Sequence, residues 1–91
     1  MICRNLRITG RVQNVFYRDW FVERANGLGV TGWVRNRGDG SVEALVSGSS
    51  DLIEAIVALA RQGSPASRVE DVVVSEAPGE VFDRFEKRPT V

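Results

Sequence analysis

The sequence has no histidine, one cysteine, one methionine and, at Lys87, one lysine. Without histidine neither a Ser-His nor a Cys-His nucleophile pair can be assembled. A zinc site would need Cys3 and carboxylates alone, an unusual donor set. Any hydrolysis must therefore proceed without an imidazole. Cys3 cannot close an internal disulfide, which agrees with a reducing compartment and leaves a buried, inert thiol as the default reading. Long apolar runs are missing as well. The longest uncharged apolar stretch, Ala55 to Ala60, falls far short of the ~20 residues that span a bilayer. No basic start followed by an apolar run marks a secretory signal. These absences predict a cytoplasmic chain with no membrane partner.

The 91 residues, 43% hydrophobic and 26% charged, have the composition of an ordinary globular protein. They predict a single domain over residues 1–91. A domain this short buries only about 60–65% of its surface, so an economical two-layer fold is expected. The net charge is zero but uneven. Seven arginines up to Arg37 face only Asp19 and Glu23, and the rest of the chain is acidic by the same margin. Eleven of the twelve basic residues are arginine, the side chain suited to planar, bidentate grip on an oxyanion. Taken alone, surface solubility explains this equally well; the asymmetry only says where to look for an anion site.

Arg4 to Val12 alternates apolar and polar residues as a half-buried strand does. After Gln13 to Phe16, apolar residues at Tyr17, Trp20, Phe21, Ala25 and Leu28 form a helical stripe that Gly27 and Gly29 end. Val30 to Asn36 reads as a second strand, and the Asp39-Gly40 turn leads into a return strand, Ser41 to Ser47. A second helix is predicted from Asp51, capped by its own side chain in a box with Glu54, to Gln62 before Gly63. Arg68 to Glu76 is a fourth strand, and Val81 to Lys87 a weaker fifth. The order β-α-β-β-α-β is that of an α+β, ferredoxin-like sandwich, an antiparallel sheet with both helices on one face. The right-handed crossover rule puts the first strand beside the strand after the second helix. It leaves the loop after the first strand at a sheet edge, facing the end of the second strand.

That loop, Gly10 to Arg18, joins a strand to a helix N-terminus, where unpaired amides and the helix dipole favour an anion. Gly10 lets the chain turn, and Asn14 is one of the few side chains that tolerate positive φ. A plain, water-wetted connection has the same outline. Arg18 sits in the first helical turn, where the macrodipole disfavours a cation by about 0.3–1 kcal/mol. A phosphate there would reverse that penalty through a charge-assisted hydrogen bond. From the residues alone, this role and a surface ion pair with Glu23 or another carboxylate both stand. Asn36 closes the second strand. Its amide either bonds the turn backbone, as asparagines at strand ends commonly do, or holds a water. Trp20 and Trp33 read as packing residues, Trp33 covering the open face of the sheet.

Gly10-Arg11-Val12-Gln13-Asn14-Val15-Phe16-Tyr17-Arg18 resembles the acylphosphatase signature. Gly32 to Asn36, with Asp39-Gly40 and Val42-Glu43, is similar to that family's second signature. The resemblance covers nearly the whole chain, including Gly63-Ser64-Pro65 leading to Arg68 and Val69. It implies a metal-independent hydrolase without cofactor, acting as a monomer on small-molecule acyl phosphates. It further implies that the amides of Gln13, Asn14, Val15, Phe16 and Tyr17 cradle the phosphate, that Arg18 binds it and that Asn36 positions the attacking water. Arg11 and Gln13 match the motif as loop-shaping residues. Two positions depart from the family pattern: Asn14 stands where glycine is usual, and Lys87 where strand alternation after Phe85 calls for an apolar residue. The rivals are a non-catalytic module of the same fold that binds an acyl phosphate, or one that binds RNA. The central strands lack the paired stacking aromatics, and the chain the basic field, that RNA binding needs.

Overall fold

The computed structural model describes residues 1–91. Seven elements follow in the order β1 (Ile2–Arg11), α1 (Tyr17–Leu28), β2 (Thr31–Asn36), β3 (Val42–Gly48), α2 (Ser50–Gln62), β4 (Arg68–Glu76) and β5 (Phe85–Lys87). They form one sheet, ordered β4-β1-β3-β2-β5, with both helices packed on one face. Alternation decides which residues face the helices. Leu6 lies opposite Ala44 and Ile8 opposite Val42, so the apolar members of β1 and β3 meet on one side. Val34, Val46 and Val72 complete that surface, and Tyr17, Phe21 and Ala25 of α1 with Ile53, Ile56 and Ala60 of α2 close over it. The Tyr17 hydroxyl donates to the Ala60 carbonyl at 3.0 Å, tying the helices together, and burial pushes its pKa well up. No helix is long and apolar enough to cross a membrane.

Four details differ from the sequence reading. The sheet is mixed, because β5 runs parallel to β2. β1 and β2 both run antiparallel to β3, hence parallel to each other, and β4 runs antiparallel to β1. A chain that reverses once after β4 must therefore arrive beside β2 in the same direction as β2. The fifth strand is also shorter than Val81 to Lys87: only Phe85–Lys87 pairs, against Gly32, Trp33 and Val34. So short an edge strand is held by Asn26 of α1. Its amide donates to the Phe85 carbonyl at 3.2 Å and accepts from the Phe85 N–H at 3.1 Å.

The third difference is at α2, which begins with Ser49 as its N-cap rather than Asp51. The Ser49 hydroxyl accepts from the Leu52 N–H at 3.4 Å, and Ser49 has the extended backbone a cap requires. Serine and aspartate cap about equally well, and the serine comes first. Asp51 instead adds its charge to the first turn, where the dipole favours it. Fourth, β1 is an interior strand, so its loop does not leave from a side edge of the sheet. It leaves from the end where β2 also finishes, with only β3 between them.

Candidate active site

The path from β1 into α1 is set by one glycine and two buried valines. Register between β1 and β4 shifts between Thr9 and Gly10, where φ is +116° and a side chain would collide with the Arg68 carbonyl. Val12 and Val15 anchor the loop in the core, leaving Asn14 exposed between them. Asn14 has φ 62° and Phe16 φ 59°, both left-handed. Such a backbone turns successive N–H groups to the same side, forming an anion-binding concavity. Every amide from Gln13 to Asp19 is without a protein acceptor, since the first helical hydrogen bond runs from Trp20 N to Phe16 O. No side chain caps this helix end. A cavity of about 340 Å³ opens there, lined by Val12, Asn14, Phe16, Tyr17, Arg18 and Asp19.

Arg18 lies half-buried in the cavity wall without an ion pair or side-chain hydrogen bond. The carboxylates that could have paired with it are engaged elsewhere: Glu23 with Arg24 at 3.6 Å, and Asp19 with Lys87 at 2.7 Å. The hydrogen bond and charge of Lys87, with a smaller contribution from Arg18, hold the Asp19 carboxyl below its ordinary pKa. This also accounts for the polar residue at position 87. Lys87 shares the helix-facing side of β5 with the buried Phe85, yet it reaches past the packed core to α1.

Asn36 is not on the wall of that cavity. It closes β2 at 8% exposure, and its Oδ1 is buried without a hydrogen-bond partner. The turn backbone that its amide could have served is bonded by Gln13 instead, whose Nε2 donates to the carbonyls of Arg37 and Ser41, each at 2.8 Å. Gln13 thus ties the amide-lined loop to the hairpin one residue beyond Asn36. The hairpin is braced from the open face. Glu43 Oε1 accepts from Arg35 and Arg37, each at 2.9 Å, and its Oε2 from Asn5 at 3.0 Å. Burial acts to raise the Glu43 pKa, but these hydrogen bonds and the Arg35 charge outweigh it and leave the carboxyl below its ordinary range. On the same face the guanidiniums of Arg35 and Arg88 lie 4.5 and 5.3 Å from the centre of the Trp33 ring. That tryptophan is covered and offers no free stacking surface. Trp20 packs against Tyr17 and Phe21.

The structure thus gathers the amides of Gln13, Asn14, Val15, Phe16 and Tyr17 with Arg18, and holds Asn36 nearby through the Gln13 side chain. Two features escape sequence reasoning. Left-handed backbone at Phe16 has no signature in residue type, although Phe16 does fall off the buried Tyr17–Phe21–Ala25 stripe of α1. The Lys87–Asp19 pair joins residues too far apart in the chain for spacing to show it. No group of three or more His, Cys, Asp or Glu side chains is placed to hold a metal ion.

A family model for acylphosphatases matches residues 4–87 of this chain. The chain belongs to the acylphosphatase family. It is 50% identical over 90 residues to an acylphosphatase of Rhizorhabdus wittichii, covering 99% of this chain and 91% of that protein. It is 53% identical over 90 residues to one of an Acidovorax species, with 99% and 93% covered. The crystal structure of acylphosphatase from Bacillus subtilis superimposes with a TM-score of 0.93 at 35% identity, covering 97% of this chain and 99% of that one. The ferredoxin-like α+β architecture is therefore that of an acylphosphatase, and membership at this identity and coverage makes the chain an acyl phosphate hydrolase.

Proposed function

We propose that the chain hydrolyses acyl phosphates with the phosphate seated among the amides of Gln13 to Tyr17, Arg18 clamped on its oxygens and Asn36 orienting the water. The observation that carries this is the cavity beside α1, where a row of amides without acceptors meets a guanidinium that makes no salt bridge or hydrogen bond. A phosphate dianion satisfies all of them together, and donors fixed in advance need no reorganisation as charge shifts in the transition state. Asn36 Oδ1 has no donor within the protein, which leaves the side-chain amide free to turn toward the phosphate and orient the water.

In this scheme the water oxygen attacks phosphorus, and the bond from phosphorus to the bridging oxygen breaks. The carboxylate departs with the bonding electrons. The water's proton passes to a phosphoryl oxygen of the substrate, so no protein base is required. A carboxylate is a good leaving group, and positioning with electrostatic stabilisation suffices. The absence of histidine agrees with this.

The test is hydrolysis of benzoyl phosphate by wild type, Arg18→Ala and Asn36→Ala. Arg18→Ala should lose roughly 10²- to 10³-fold in kcat/KM. Asn36→Ala should lose about 10²-fold, mainly in kcat. Unchanged turnover in either folded variant removes that residue from its role. Between about pH 6 and 8 the rate should show no break from a protein side chain, and such a break would point to an enzymic base.

A further inference from the structure

Phe16 stands where neither backbone nor burial favours it. Its φ of 59° places a bulky side chain in the left-handed region, which phenylalanine rarely occupies. Its side chain is 81% exposed, so the core gains almost nothing from the ring. The adjacent Tyr17, fully buried, does the packing at that point of the chain. Phe16 is also the only aromatic among the large exposed hydrophobic residues; the others are Met1 and valines.

It does, however, line the cavity that holds Arg18. Of the apolar residues there, Val12 and Tyr17 are buried, while Phe16 is free to touch a bound molecule. The remaining wall is polar: Asn14, Arg18 and Asp19, the last neutralised by Lys87. We infer that Phe16 forms an acyl-group subsite, its ring packing against the substrate's acyl portion and favouring aromatic or bulky apolar acyl phosphates over small ones.

The inference rests on the proposed seating of the phosphate, because that seating fixes where the acyl group emerges. With the phosphoryl oxygens on the loop amides, the acyl carbon lies one bridging oxygen away, toward the mouth of the cavity where Phe16 stands. An aromatic acyl group there gains a ring–ring contact that acetyl cannot make.

Two measurements test this. The first is kcat/KM for benzoyl phosphate and for acetyl phosphate with wild type, Phe16→Ala and Phe16→Gly. The benzoyl-to-acetyl ratio should fall about five- to tenfold in both variants, the size of one aromatic contact. Phe16→Gly relieves the left-handed backbone, so an equal fall in both separates the ring from the strain. The second is calorimetric titration with phenylphosphonate and methylphosphonate, which reads the subsite without turnover. Wild type should bind the phenyl compound several-fold tighter, and Phe16→Ala should lose that preference. An unchanged ratio in the variants, or a wild type that binds the two phosphonates equally, overturns the subsite. A wild type that prefers phenylphosphonate but hydrolyses neither acyl phosphate leaves the subsite standing and refutes the catalytic scheme instead.

Discussion

Replacing Gln13 with alanine removes the link between the phosphate loop and the hairpin that carries Asn36. The Gln13 Nε2 makes two hydrogen bonds, each 2.8 Å long, to the carbonyls of Arg37 and Ser41. Neither carbonyl is orphaned by the change, because Arg37 O also accepts from Gly40 N at 3.1 Å and Ser41 O from Arg37 N at 2.9 Å. The loss is therefore the net worth of two hydrogen bonds, about 1–3 kcal/mol, without a desolvation penalty. In a domain of this size each kcal/mol lowers Tm by about 4–8 °C. Gln13→Glu should be worse than alanine at neutral pH, since a carboxylate would face two carbonyl oxygens. Its deficit should shrink as pH falls toward about 4.3, because the two carbonyls raise the folded-state pKa of the new carboxyl above that ordinary value and the protonated form donates again. Activity should suffer independently of stability, because a displacement of about 1 Å at a reacting group costs on the order of 10²-fold. The assay is thermal and urea unfolding beside benzoyl phosphate kinetics, completed by the Gln13→Ala, Asn36→Ala double variant. If Gln13 acts through Asn36, its effect on kcat disappears once Asn36 is gone. Stability within about 0.5 kcal/mol of wild type, or a kcat loss fully retained in the Asn36→Ala background, refutes the reasoning.

Glu43 should make stability pH-dependent. Its pKa is lowered in the folded state, so its contribution is present in full above the ordinary value of 4.5 and is lost as pH falls through the folded value. Glu43→Gln should cost about 1–3 kcal/mol at pH 7, below the usual range for a buried pair because Arg35 and Arg37 keep 25% and 32% of their surface exposed. Melting curves from pH 7 down to about pH 3 should show the two proteins converging. Asn14→Gly should change stability by less than about 1 kcal/mol, since φ 62° suits glycine while the unfolded chain gains entropy. Benzoyl phosphate turnover should stay equal or rise, and a large drop would show that the Asn14 side chain has a part this loop geometry does not give it.

What the sequence made legible were features with a short-range signal. β1 showed its period of two, and α1 showed the apolar stripe that now packs against the sheet. Gly10 and Asn14 marked the loop, because each belongs to the few residue types that tolerate its backbone angles. What stayed hidden was decided over longer range. The parallel pairing of β5 follows from the directions of three other strands, and its first residue is held by a hydrogen-bonding asparagine on a distant helix. The choice of Ser49 over Asp51 as cap is a contest between near-equal residues settled by one turn of chain. Gln13 could be assigned to loop shaping from its motif, but the carbonyls it holds lie on the hairpin, far along the chain.

The unfavourable features of this molecule are gathered in one place. A cation sits in the first turn of α1 without a salt bridge, and the amides from Gln13 onward have no acceptors in the protein. Phe16 adopts a backbone ill-suited to its side chain, and Asn36 buries an oxygen with no donor. Water hydrates the exposed amides at little cost, but the other three each lower stability. The first two are reversed together by one phosphate dianion, the third by an acyl group against the ring, and the fourth by a water. A structural explanation would need three separate accidents within two short segments. A single acyl phosphate with its attacking water accounts for all of them, and the chemistry it asks for needs no base that this histidine-free chain could not supply.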